Sequence, residues 1–435
     1  MLRLLHISDI HFKYPQCMNP DTDPDISIRD LFSQDIQDFA QKSSHKVDAI
    51  LITGDIAFAG MAEEYEAAAK WLDELCTVIG CEPTDVYLVP GNHDIDRGVA
   101  SSPTLEAIRN SVSKPTDKIE RDKEVLRFLS DATSSEAIFS IMKNYNEFAS
   151  RYNCELGPKK TCWRGIIKLT DNIDLSFIGM TSTLFSSAND DLHTLIIDQS
   201  QTVFRQQPGK IYLSMIHHPT DWLKDSDEIK DVMDEHINIQ LFGHKHRARW
   251  DKTDRTIRVS SVSLQPERGD IEYEPGYNII DLKEESSTKE YTDIEIKITV
   301  RTLQKSPQLF RSKNFDNNQE FFSTVIKIKN KSILISDDKG TALKQTITEE
   351  KQDNETQFYN VKKENKTVKE LIYLFWGLAG SQKRKIIDEL NLLSDEDWDK
   401  PEVERQKIAF KNAINDGMLD DLEKEIIKKV EDNER

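Results

Sequence analysis

Five apolar runs in this chain each stop on residues able to hold a cation. LRLLHIS runs into Asp9-Ile10-His11, AILITG into Asp55 and VYLVPG into Asn92-His93-Asp94. Further on, IYLSMI runs into His217-His218, and IQLFG into His244-Lys245-His246. Runs of this length, rich in Ile, Leu and Val, read as buried strands. Between the first three lie helical patterns. One places Ile28, Leu31, Phe32, Ile36 and Phe39 on one face, and the other is MAEEYEAAAKWLDELCTVIG, which stops at Gly80. Strand alternating with helix predicts a layered α/β domain, and in such sheets sites form beyond the carboxyl ends of the strands. Motifs far apart in the chain are therefore expected to converge.

Each motif has a plain reading by itself. Asp-x-His is a surface dipeptide, Gly-Asp a turn and Asn-His-Asp a loop. In Gly-His-x-His the two imidazoles share one side of an extended segment. Together, in this order and all at strand ends, they predict a metal site. The donors are carboxylate, amide oxygen and imidazole, with no thiolate, a set that suits Mn²⁺, Fe or Zn²⁺. Two dications sharing one carboxylate sit about 3.5–4 Å apart and would activate a water for in-line attack on phosphorus.

DxH, GD, GNHD, a mid-chain His before Pro and GHxH resemble the signature of calcineurin-like metallophosphoesterases, over roughly residues 1–300. The resemblance implies a four-layer α/β/β/α sandwich around two divalent ions, with Mn²⁺ the first choice and Fe or Zn²⁺ the alternatives. It implies that Asp9, His11 and His246 hold one ion, Asn92, His217 and His244 the other, and that Asp55 bridges them. His93 would protonate the leaving group and Asp94 would orient it. Gly91 is read as the residue that permits the tight turn. Arg97 is a candidate for a substrate phosphate, or else an exposed cation or a partner of Asp96. His218 is read as a support beside a ligand, and His6, His45, His193 and His236 as ordinary residues. The expected activity is phosphodiester hydrolysis, by a nuclease or nucleotide phosphodiesterase. The alternatives are a phosphomonoesterase and, behind it, a non-catalytic scaffold. The phrase from VPGNHDIDRG to DLSFIGMTSTLF resembles a bacterial subgroup tied to defence or conflict systems.

The chain has 435 residues, too many for one ordinary core. Residues 103–165 read as a helical insertion and 301–340 as further strands of the catalytic domain. A polar, aperiodic linker is expected over 341–366, and a small helical module over 367–435 that would meet a protein partner. In that module Leu371, Leu374, Phe375, Trp376 and Trp398 read as core, although an exposed Trp376 would mark a docking surface. The net charge of −19 argues against a broad nucleic-acid coat, while bound dications can reverse the sign locally. No basic–aromatic interleaving marks a groove for single strands. Lys245, Arg247, Arg249 and Arg255 read either as a phosphate rim or as a local balance of acidic charge. Five cysteines without CxxC spacing and no secretory leader predict a reduced, cytoplasmic protein. The longest later apolar stretch, LIYLFWGLAG, is well short of the ~20 residues that span a membrane.

Overall fold

The computed structural model describes residues 1–247, 249–253, 255–265, 274–315, 318–331, 368–394, 397–398, 400 and 402–434. The linker expected over 341–366 and the end of the strand region, 332–340, lie outside the described residues. Two compact units are present: 1–148 with 154–331, and 149–153 with 368–434.

The first unit is built on two mixed sheets. In one, β1 (Leu2–Ile7), β2 (Ala49–Ile52) and β3 (Val86–Leu88) run parallel. β10 (Gly276–Ser287) pairs antiparallel with the free side of β1, followed by the long β11 (Tyr291–Lys305). The far edge of β11 is shared by β12 (Gln308–Ser312) and β13 (Phe322–Lys329). The other sheet has six strands: β4 (Trp163–Lys168), β5 (Asp174–Gly179), β6 (Lys210–Ile216), β7 (Ile239–Phe242), β8 (Arg249–Lys252) and β9 (Ile257–Ser260). Their order is β4-β5-β6-β7-β9-β8, parallel except at the two edges.

The sheets meet face to face. Tyr87 on β3 and Phe177 on β5 touch edge to face at 4.4 Å, and the Trp163 indole donates to the Leu88 carbonyl at 2.9 Å. Helices α1 (Ile26–Lys42) and α2 (Ala62–Ile79) cover the outside of the first sheet, where Phe32 packs against Tyr277 and Trp71. α8 (Ser226–His236) covers the second sheet, with Ile229 and Met233 packed on Ile178, Ile216 and Phe242. The result is the expected four-layer α/β/β/α order. Strands buried on both faces explain why β1, β2 and β7 read as unbroken apolar runs.

The helices after the third strand are α3 (Arg97–Ala100), α4 (Pro103–Ser113), α5 (Lys118–Ser130), α6 (Ala132–Ser140) and α7 (Lys143–Ser150). Ser102, Asp117 and Asp131 cap three of them through their side chains. Residues 163–165, read from sequence as the end of the helical insertion, belong to β4. That strand is an edge with exposed Arg164 and Ile166, so it lacks the apolar run of a central strand.

The second unit contains α9 (Val368–Trp376), α10 (Gly380–Glu389), α11 (Glu402–Asn415) and α12 (Leu419–Glu434). Leu371, Phe375, Ile386, Phe410, Leu422 and Ile426 form its own apolar core. Trp376 and Trp398 are half-buried against that core, and the Lys383 ammonium sits 4.4 Å from the Trp376 ring centre. Among the described residues no helix is long and apolar enough to cross a membrane.

Candidate metal centre

Strands β1, β2 and β3 of one sheet and β6 and β7 of the other end at the same place, and each delivers its motif there. Backbone hydrogen bonds stitch the ends together. Asp9 N donates to Gly54 O at 3.0 Å, Ile10 N to Asp55 O at 2.8 Å and Gly243 N to His217 O at 2.9 Å. His93 N donates to Asp55 Oδ1 at 2.8 Å, and His244 N to Asp9 Oδ2 at 3.3 Å.

Four groups of potential ligands have their donor atoms within 4.8 Å of one another: Asp9-His11-His246, Asp9-Asp55-His217, His11-Asp55-His93 and His217-His218-His244. His246 Nε2 lies 3.2 Å from Asp9 Oδ1, and His217 Nε2 lies 3.2 Å from both Asp55 Oδ2 and Asn92 Oδ1. The seven residues read from sequence as ligands therefore come together, with Asp55 common to two groups. Asp9, His11, Asp55, His244 and His246 all hold φ between 51° and 68°. That region is unfavourable for side chains with a Cβ, and such strain persists where the surroundings enforce it, commonly at functional sites.

The cluster suits dications. Asp9 Oδ1 and His11 Nδ1 are buried without a hydrogen-bond partner. The His217 Nδ1–H donates to the Thr53 carbonyl at 2.7 Å, which turns Nε2 toward Asp55 and Asn92. Burial holds His11 and His244 down to about 4, so both are neutral near pH 7 and present a lone pair. Burial opposes the charge on His217, but Asp55 and Asp9 raise it to about 9. Burial also opposes the charge on Asp9, while His246 and His217 hold its carboxyl down to about 2.

Gly91 is needed for space rather than for a turn. It is not among the glycines with positive φ, and a Cβ there would lie 2.6 Å from Asp55 N and collide with the Asp55 carboxylate. Gly243 is similarly hemmed in, with Thr53 O at 2.7 Å and the Ser8 hydroxyl beside it.

The expected orienting role of Asp94 does not fit the geometry. Its buried carboxylate accepts from Ala57 N at 2.9 Å, Gly91 N at 2.9 Å, Ile56 N at 3.1 Å and the Tyr65 hydroxyl at 3.0 Å. Burial and the Asp55 charge push it up to about 7 against these donors. The His93 ring is oriented instead by the Phe58 carbonyl, which accepts from Nδ1–H at 2.7 Å. A backbone carbonyl leaves no trace in sequence, so the adjacent Asp94 attracted the role. Arg97 Nη2 lies 3.3 Å from the His93 ring nitrogens, while Asp96 caps α3 by accepting from Val99 N. Arg97 is thus beside the candidate acid and not paired with Asp96.

His218, read as a support, belongs to a ligand group. Its Nδ1 meets Ser182 Oγ at 2.7 Å, its Nε2 is buried without a partner, and its ring lies 4.4 Å from that of His244. Trp222 closes on His244 edge to face at 4.2 Å. Its place three residues beyond the His217-His218-Pro run was the only signal for it. Lys245, read as part of a phosphate rim, is paired with Asp221. His6 lies buried between Thr53 Oγ1 and Asn278, and His45 is paired with Asp48.

Comparison with known proteins agrees with this geometry. Residues 2–248 match the family described as calcineurin-like phosphoesterase, and residues 367–428 match the GTPase-associated adaptor domain. The metallophosphoesterase-like protein YydB of Bacillus subtilis is 24% identical over 308 residues, 68% of this chain and 57% of that protein. The chain thus spans little more than half the length of that curated relative. Among solved structures, GAP50 of Plasmodium is 11% identical, with 76% of this chain and 90% of that one covered at a TM-score of 0.38. A putative 5′-nucleotidase from Staphylococcus aureus is 12% identical, with 73% and 56% covered at a TM-score of 0.35. More than half of the sequence matches the family's pattern, and the strand ends carrying that pattern meet in space: the chain belongs to the calcineurin-like phosphoesterase family.

Proposed function

We propose that this protein is a metal-dependent hydrolase of phosphodiesters, a nuclease or nucleotide phosphodiesterase. The observation that carries the reading is the pairing of the ligand cluster with one imidazole, His93, anchored at Nδ1 by the Phe58 carbonyl. Asp9, His11 and His246 would hold one divalent ion, Asn92, His217 and His244 the other, with Asp55 shared between them. His218 is a further candidate at the second position. Bound there, two dications would polarise the phosphoryl oxygens and supply an activated water, and Mn²⁺ is the first to test.

His93 does the work the ions leave undone. With Nδ1–H held by Phe58, Nε2 is the atom that gives a proton to the departing oxygen. An alkoxide is a poor leaving group at pH 7, so diesters of sugars gain most from such a donor. Arg97, beside the His93 ring, is placed to bind a phosphoryl oxygen and to favour release of the His93 proton. The adaptor match over 367–428 supports recruitment by a protein partner, as in a bacterial defence assembly.

The test compares bis-p-nitrophenyl phosphate with p-nitrophenyl phosphate and a dinucleotide, with Mn²⁺ present. Diesters should turn over faster than the monoester. His93→Ala should lower dinucleotide cleavage about 10²–10⁴-fold, and nitrophenyl diester cleavage much less, because nitrophenolate needs no proton. Preference for the monoester would replace this reading by a phosphomonoesterase. Equal losses on both diesters would remove His93 as the acid.

A further inference from the structure

Strand β8 has no structural reason to carry what it carries. It is an edge of the second sheet, paired only with β9, and all four residues are exposed. Exposed edges usually avoid large aromatics. Here Trp250 is 37% exposed, and it lies four residues after His246. Four residues of chain span at most about 14 Å, so this indole lies close to the candidate metal centre.

Other segments extend the patch. Phe315 lies 4.5 Å from Trp250, and Phe322 lies 6.5 Å beyond Phe315. The Lys252 ammonium is 5.9 Å from the Phe322 ring, and Lys297 is 4.1 Å from the neighbouring Phe321. Arg249 and Arg255 have no carboxylate partner among the described residues, whereas Asp251, the one acid of the strand, is paired with Arg258. A chain with net charge −19 thus presents unpaired guanidinium groups and a flat aromatic face beside its metal motif.

We propose that β8 and the 315–322 segment bind single-stranded nucleic acid and lead it to the metal centre, with a base stacked on Trp250 and phosphates on Arg249 and Arg255. Unpaired cations match the phosphate backbone, and an exposed indole takes a base only when that base is free of a duplex. The proposal rests on the phosphodiester reading above and narrows its substrate.

The test separates binding from chemistry. Fluorescence anisotropy of a labelled 20-nucleotide oligo(dT) is measured with the full chain in EDTA, for wild type, Trp250→Ala, Trp250→Phe and Arg249→Gln/Arg255→Gln. Trp250→Ala should weaken binding about tenfold and Trp250→Phe about two- to threefold, since stacking tolerates either ring. The double arginine variant should flatten the salt dependence by about one unit of slope. With Mn²⁺, the ratio of oligonucleotide to bis-p-nitrophenyl phosphate cleavage should fall in the same variants. Equal affinity in all four proteins, no binding by wild type, or equal binding of a duplex would overturn the proposal. The first of these would leave Trp250 as a cover for Phe315. Failure to cleave any diester would overturn the phosphodiester reading instead, and the anisotropy would still judge the surface.

Discussion

At the scale of single residues, the site depends on which atom faces which. His217 shows this through its titration. Its folded value, about 9, lies above the ordinary 6.5. Without metal, its charged contact with Asp55 therefore stabilises the fold fully below pH 6.5, and the contribution is lost as pH rises through 9. A cation at Nε2 must displace that proton. Mn²⁺ affinity should consequently rise about tenfold per pH unit between 6.5 and 9, with about one proton released. Calorimetric titrations in buffers of different ionisation enthalpy check this, and a flat affinity would contradict the assignment. His11 and His244, held down near 4, should release none in this range. Asp94 gives a second prediction. Replacing its carboxylate by an amide would aim an N–H at donors that now meet an acceptor. Asp94→Asn should therefore cost about 2–4 kcal/mol and lower Tm by several degrees. A residue that merely oriented His93 would change kcat and leave Tm alone.

At the scale of elements, central strands were legible and edge strands were not. β1, β2, β3, β6 and β7 are covered on both faces, and burial forces an apolar run. β8 reads RWDK and is exposed throughout, and β12 is largely polar, so neither has an apolar run to betray it. Helix α7 matters to the site more than its distance in sequence suggests. Asn144 donates to the Gly60 carbonyl at 2.9 Å, which steadies the loop whose Phe58 carbonyl orients His93. Asn144→Ala should leave metal content unchanged and slow dinucleotide cleavage about tenfold, because a displaced acid loses its alignment. Metal analysis beside kcat measures both, and loss of metal would instead mean that the loop supports the ligands.

At the scale of the whole chain, five ligands with positive φ in one cluster mean that the first unit holds strain in exchange for a preformed site. Ions that bind the folded state alone should counter it. Mn²⁺ at about a thousand times Kd should add about 4 kcal/mol, seen as a rise in Tm that EDTA reverses. The same rise should be found in a chain cut after residue 331, because the C-terminal helices carry their own core. A truncated chain that binds Mn²⁺ without the rise would show that the ions add nothing to the fold.

What the sequence determined by itself was the layered α/β order and the location of the ligands, because burial and strand ends each leave a local mark. The seven candidate ligands were all named from five short motifs. Tertiary structure alone decided how the donors are aimed. The Thr53 and Phe58 carbonyls that orient His217 and His93 are backbone groups common to every residue, and only the fold chooses them. It also decided the true partners of Asp94, the need for Gly91 and the meeting of Trp250 with Phe315. Each is a contact between segments far apart in the chain, and no local pattern of residue types encodes such a contact.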